Sequence, residues 1–158
     1  MVNIIMVRVD ERLVHGQITI KWVAAKKVNK IVIVDDETAS DLLMKKVLRM
    51  TLPKSIELNI YGLDEGANFL VTTDSEDSAI VLVKNLWVAK ELYERGVDIK
   101  EVNIGRLPSG IGKKKIHTNV FLSEEDIDII GSFKNQGVSV FIQLVPDSTP
   151  INVHELEL

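Results

Sequence analysis

Between Arg8 and Gln17 the chain reads Arg-Val-Asp-Glu-Arg-Leu-Val-His-Gly-Gln, which gathers one imidazole, two guanidinium groups and two carboxylates in a single short stretch. A neutral imidazole is a nucleophile near pH 7. Guanidinium groups grip phosphate oxygens through paired N–H bonds. Together these groups point to phosphate chemistry on His15 itself, with the arginines holding the transferred group.

Such a constellation works only if the elements on either side place it at an accessible edge. Ile4–Val9 reads as a strand and Gly16–Lys26 as an amphipathic helix, so His15 falls on a strand-to-helix turn. In open α/β sheets that turn is where ligands bind. Unpaired N–H groups and the dipole of the helix N-terminus favour an anion there and disfavour imidazolium. Arg12, three residues before His15, reaches a phosphoryl group if the loop folds back. Arg8 at the strand end is a second candidate for phosphate contact. Gly16 allows close backbone approach and Gln17 offers a side-chain amide in the first helical turn. Asp10 is placed to orient Arg12 or the imidazole, and Glu11 is expected to face solvent.

The rest of the chain alternates between two patterns. Further strands are expected at Ile31–Asp35, Glu57–Tyr61, Ala79–Val83, Val102–Ile104 and Val138–Val145, most of them continuously apolar as in strands buried on both faces. Helices are expected at Asp41–Met50, Leu86–Arg95 and Ser123–Gln136. Gly96 and Gly137 stand where a left-handed residue ends a helix, and Ser123 with Asp126 resembles a capping box. Leu63–Ser78 reads as a short helix followed by an acidic loop, and Lys113–Leu122 as an extra strand. The alternation implies an α/β fold: an open, mainly parallel twisted sheet with helices on both faces and one antiparallel edge strand. No repeat or linker interrupts residues 1–158, so a single domain is expected.

Composition narrows the function. Hydrophobic residues make up 46 % of the 158, enough for a packed interior, and the formal net charge of −4 argues against a dedicated nucleic-acid binder. The absence of cysteine rules out disulfides, thiolate catalysis and cysteine-based zinc sites. No secretory signal pattern and no apolar run near the ~20 residues needed to cross a bilayer are visible. A soluble, cytoplasmic protein that visits the membrane is expected.

The first motif, followed by Trp22, resembles the N-terminal signature of IIB components of the mannose–fructose–sorbose family of bacterial sugar phosphotransferase systems. Asp35-Asp36, Val102-Asn103-Ile104-Gly105, and Gly137-Val138 leading to Val145-Pro146 fall where that family has similar patterns, so the likeness spans essentially the whole chain. The resemblance implies that His15 is the phosphorylated residue, through Nδ1, and that Arg12 helps bind the phosphoryl group. It implies a IIA domain as donor, acting from Nε2 of its own phosphohistidine. It implies a sugar as acceptor at the integral-membrane IIC and IID components, with peripheral association at the inner face of the cell membrane. No metal or cofactor is implied, and a homo-oligomer is compatible. Arg106 departs from the family, which usually has a second glycine there; its guanidinium either narrows the pocket rim or adds a phosphate contact. Phe141-Ile142-Gln143 before Val145-Pro146 leans toward amino-sugar members.

Other residues carry competing readings. Asp35 and Asp36 end the second strand and either cap the following helix or line the histidine pocket. With Lys84 they also suggest a receiver-like domain phosphorylated on aspartate with magnesium, although such domains place the acid pair after the first strand. Asp10, Asp35 and Asp36 together suit magnesium in principle. A passive anion-binding domain using the same strand-end crevice is a third reading. No glycine-rich phosphate loop supports a dinucleotide. His117 and His154 are expected at surface or packing positions, Lys113-Lys114-Lys115 in a solvated loop, and Trp22 and Trp87 as core anchors.

Overall fold

A computed structural model describes residues 1–158. In chain order the strands are β1 (Asn3–Asp10), β2 (Lys30–Val34), β3 (Glu57–Tyr61), β4 (Ser78–Val83), β5 (Glu101–Arg106), β6 (Lys114–His117), β7 (Val120–Leu122), β8 (Ser139–Ile142) and β9 (Ile151–Asn152). The helices are α1 (Gly16–Lys26), α2 (Asp36–Ala39), α3 (Leu42–Met50), α4 (Leu63–Thr72), α5 (Leu86–Glu94) and α6 (Glu124–Asn135). Seven strands form one sheet in the order β3-β2-β4-β1-β5-β8-β9, and β6 and β7 make a separate antiparallel hairpin. Every pairing in the main sheet is parallel except β8 with β9, which supplies the expected antiparallel edge.

The alternating side chains of the strands divide the interior into two layers. Val7, Val9, Val32, Val34, Val81, Val102 and Ile104 belong to a cluster of 29 buried residues that also holds Leu70 of α4, Leu92 of α5 and Phe133 of α6. Met6, Ile31, Ile33, Ile80 and Leu82 point the other way, into a cluster of 13 with Trp22 of α1 and Leu48 of α3. The second layer is smaller for a chemical reason. Beyond Met6, β1 gives that face Arg8 and Asp10, and β5 gives it Asn103, all three buried. Polar groups thus replace apolar core where β1 and β5 meet, beside the start of α1.

Most element ends fall within one or two residues of the sequence expectation, and three segments differ, two of them for an identifiable cause. The segment after β2 opens with the short helix α2, because Asp35 caps it by accepting from the Thr38 N–H at 3.0 Å. The last long strand stops at Ile142 instead of reaching Val145. The carbonyls of Gln143 and Leu144 turn away from the ladder to accept from Arg8 at 3.0 and 3.1 Å, and the Gln143 amide ties the loop to Ser148 O at 2.8 Å. Lys113–Leu122 holds a two-stranded hairpin, with Lys114 and Lys115 exposed on β6, where a solvated loop and one extra strand were expected.

The caps follow the sequence closely. Ser123 and Asp126 form the reciprocal capping box of α6, and Gly96 and Gly137 carry φ of +90° and +77° after α5 and α6. Trp22 is a core anchor, whereas Trp87 is 44 % exposed: it faces outward from α5, whose buried residues are Leu86, Val88, Ala89 and Leu92.

Candidate functional site

The turn after β1 is built by two buried apolar residues that force a polar one outward. Leu13 N–H donates to Asp10 O at 2.9 Å, closing a tight turn, and Leu13 itself sits at φ +57°. A left-handed leucine costs about 1–2 kcal/mol. Its burial, with that of Val14, in the layer around Trp22 offsets the strain. With residues 13 and 14 pinned inward, His15 emerges exposed at the N-cap of α1. Its N–H donates to Thr19 Oγ1 at 2.9 Å, one helical turn ahead. Gly16 follows at φ +41°, a conformation that favours glycine. The N–H groups of Gly16 and Gln17 have no main-chain acceptor, as befits a helix start, and Gln17 is exposed.

Asp10 organises the two arginines. Its Oδ1 accepts from Arg12 Nε at 2.9 Å and from the Arg12 backbone N–H at 3.0 Å, and its Oδ2 accepts from Arg12 Nη2 at 2.8 Å. Oδ2 also lies 3.6 Å from Arg8 Nη2. The two-pronged contact with Asp10 holds the Arg12 guanidinium above its ordinary proton affinity.

Arg8 occupies a different place from the one expected of a phosphate ligand. It is 3 % exposed, and its guanidinium donates to Asn103 Oδ1 and to the carbonyls of Gln143 and Leu144. Burial pulls its pKa down to about 10, against the opposing pull of Asp10. The ring of Trp22 lies 5.3 Å from the guanidinium carbon, and Trp22 Nε1 donates to Leu144 O at 3.0 Å. Arg8 stands opposite Asn103 in the β1–β5 register, which brings their side chains together. A Cβ on Gly105 would collide with the Arg8 guanidinium, so glycine at that position is what admits the arginine. Arg8 therefore joins the histidine turn to the loop after β8.

Asp35 and Asp36 lie apart from this cluster, at the end of β2, which β4 separates from β1. Asp35 accepts from Thr38 Oγ1 at 2.6 Å and pairs with Lys84 at 3.0 Å. Burial opposes its charge, but the bonds from Thr38 and Lys84 outweigh that and hold its pKa below the usual carboxylate range. Asp36 accepts from the Leu63 N–H at 2.8 Å and so fastens the start of α4. Asp10 and Asp35 thus each serve separate cations rather than a common metal. Arg106 Nε meets Glu11 Oε1 at 2.9 Å, so Glu11 is paired rather than merely solvated. His117 is exposed, and His154 Nε2 lies 2.9 Å from Val138 O.

Two members of the site escaped residue-level reading. Thr19 carries a signal in its place one turn after His15, where its hydroxyl can turn back to the helix start. Asn103 stands in the Val102-Asn103-Ile104-Gly105 pattern, but only its strand register opposite Arg8 reveals what it does.

The site is thus an exposed histidine at a helix start and an arginine pair sharing one carboxylate, in the turn after the central strand of an open, mainly parallel α/β sheet. The chain belongs to the sorbose subfamily of PTS system IIB components, whose family model matches residues 4–157. Proteins of this kind are phosphotransferases of the sugar-transporting system. The chain is similar to the N-acetylgalactosamine-specific phosphotransferase enzyme IIB component 1 of Escherichia coli (strain K12), with 30 % identity over 145 residues, covering 91 % of this chain and 92 % of that one. The crystal structure of the PTS system N-acetylgalactosamine-specific IIB component 1 from Escherichia coli superposes with a TM-score of 0.91 at 29 % identity, covering 96 % of this chain and 99 % of the other. The PTS system mannose-specific EIIAB component of Escherichia coli (strain K12) is 25 % identical over 154 residues, which span 96 % of this chain and 47 % of that protein.

Proposed function

We propose that His15 takes a phosphoryl group from a phosphohistidine of a IIA domain and passes it to a sugar at the IIC and IID membrane components. This would make residues 1–158 one IIB domain acting as a protein-Nπ-phosphohistidine–sugar phosphotransferase. In the first step the donor's N–P bond breaks as a P–N bond forms to Nδ1 of His15; in the second that bond breaks as a sugar hydroxyl oxygen attacks phosphorus and loses its proton. The observation that carries this reading is the exposure of His15 at the N-cap of α1, where two different surfaces can reach it in turn. In-line transfer needs positive charge around the equatorial oxygens of phosphorus. The N–H groups of Gly16 and Gln17 and the guanidinium of Arg12 supply it, the latter once it leaves Asp10. Arg8 acts as a positioning residue beneath the turn.

The name of the mannose-specific EIIAB relative joins an A to a B function, which supports a IIA partner. The N-acetylgalactosamine-specific relatives support an amino sugar as final acceptor. The domain would work in the cytoplasm, at the inner face of the membrane that holds IIC and IID. Asp35 is already committed to Thr38 and Lys84, and the family assignment also leads away from a receiver-like role.

Incubation with a phosphorylated IIA donor should label His15 alone. The label should survive alkali, break down in acid and be indifferent to magnesium chelation. His15→Ala should keep the fold and take no label. Label on Asp35 or Asp36, or label retained by His15→Ala, would refute the proposal.

A further inference from the structure

Helix α3, Leu-Leu-Met-Lys-Lys-Val-Leu-Arg-Met, is inverted relative to an ordinary surface helix. Such a helix turns its apolar stripe inward. Here Leu48 is the one buried residue, while Leu42, Leu43 and Met50 are 76 %, 72 % and 84 % exposed, with Met44 and Val47 also open. At about 100° per residue, Leu42, Lys46, Met50, Leu43 and Val47 fall on one outward arc. Lone exposed leucines are ordinary, but an apolar strip on one short helix, broken only by Lys46, marks a contact surface.

Its charge identifies the partner. Lys45, Lys46 and Arg49 lie on α3 and Lys54 follows it, with no carboxylate in the helix, although the whole chain carries a net −4. The nearest acids in sequence are already engaged: Asp41 accepts from the Met44 N–H as the helix cap, and Glu57 pairs with Lys30. A second copy on this face would set cation against cation across a twofold axis. Protein interfaces are depleted in lysine and favour aromatic anchors, which α3 lacks. An anionic bilayer fits both features, with Leu, Met and Val at the acyl boundary and the lysine ammonium groups reaching the headgroups.

We infer that α3 is a reversible contact with anionic phospholipid. It packs over the β2 and β3 end of the sheet through Leu48, while His15 follows β1 on the far side of β4. The contact would hold the domain at a membrane surface without covering the histidine. It does not depend on phosphoryl transfer, so it can be tested separately.

The full chain should sediment with vesicles of phosphatidylcholine mixed with phosphatidylglycerol, and not with pure phosphatidylcholine vesicles. Binding should weaken with salt. Leu43→Asp with Met50→Asp should abolish it while circular dichroism and phosphoryl acceptance stay unchanged. Lys45→Gln with Lys46→Gln should weaken it roughly 25-fold, at about fivefold per cation. Failure to bind mixed vesicles would overturn the inference, as would binding that survives the aspartate pair. A dimer in solution that the aspartate pair dissociates, with no vesicle binding, would assign the face to a second copy instead.

Discussion

Asp10 holds Arg12 with both carboxylate oxygens, at 2.8 and 2.9 Å, while one of those oxygens also faces Arg8 at 3.6 Å. One buried carboxylate therefore balances two guanidinium groups, one sealed beneath the turn and one at its surface. The outer arginine, three residues before His15 in the chain, is stored on Asp10 rather than left free. A phosphoryl dianion on His15 would compete with Asp10 for it, and the inner arginine would keep Asp10 from being left unpaired. This arrangement makes Arg12 the movable member and Arg8 the fixed one.

Replacing Arg12 should therefore affect transfer far more than folding. Arg12→Lys retains charge but loses the fork that meets two oxygens at once. Phosphoryl acceptance from a IIA donor should fall by about 10²-fold, the usual cost of removing one preorganised charge-stabilising donor. The thermal midpoint should stay close to that of the parent. Rapid-quench measurement of acceptance alongside a melting curve separates the two effects.

Asp10→Asn should do the reverse damage. It removes the only carboxylate near the buried Arg8, and an uncompensated buried charge costs about 3–5 kcal/mol. Urea unfolding should show a loss of that size. A loss below 1 kcal/mol would mean that Arg8 is adequately served by Asn103 and the carbonyls of Gln143 and Leu144.

Gly105→Ala tests the same inner arginine from β5. The added methyl group would occupy the space of the Arg8 guanidinium, buried and tied to four partners. Overpacking of this kind costs about 1–3 kcal/mol. If Arg8 positions the turn, the variant should also lose phosphoryl acceptance, and Arg8→Met in the same background should restore part of the stability without restoring transfer.

What the sequence disclosed divides along the same physical line. The parallel sheet, the two helix layers and the turn holding His15 were readable because continuous apolar strands and periodic helices each bury their own pattern. The capping box at Ser123 and the left-handed glycines 96 and 137 were readable because they act over a few residues. The fate of Arg8 was not, because its partners Asn103, Gln143 and Leu144 are remote in sequence and two of them contribute only carbonyls. Trp87 escaped for a related reason: a large apolar residue on a helix reads as core until the packed face is known. The roles of the acids were legible in part: Asp10 beside Arg12 and Asp35 before a helix pointed to an arginine partner and a cap, while the Lys84 partner of Asp35 is remote in sequence.

Asp35 and Lys84 supply a pH test that spares the histidine turn. Asp35 is held below its ordinary value of 3.8, so its contribution is present at neutral pH and is lost as pH falls through that lowered value. Lys84 is held above its ordinary 10.5: burial opposes its charge, but the bond to Asp35 prevails. Its contribution is therefore complete below 10.5 and fades as pH rises through the raised value. Asp35→Ala also removes the cap of α2, so at neutral pH it should cost about 1–2 kcal/mol. Chemical unfolding across pH should show that difference level from roughly pH 5 to 9 and narrowing toward both extremes. Phosphoryl acceptance by His15 should stay near the parent value throughout. A difference that grows toward acid would mean that Asp35 is not the stabilised carboxylate, and a collapse of transfer would place Asp35 in the histidine site after all.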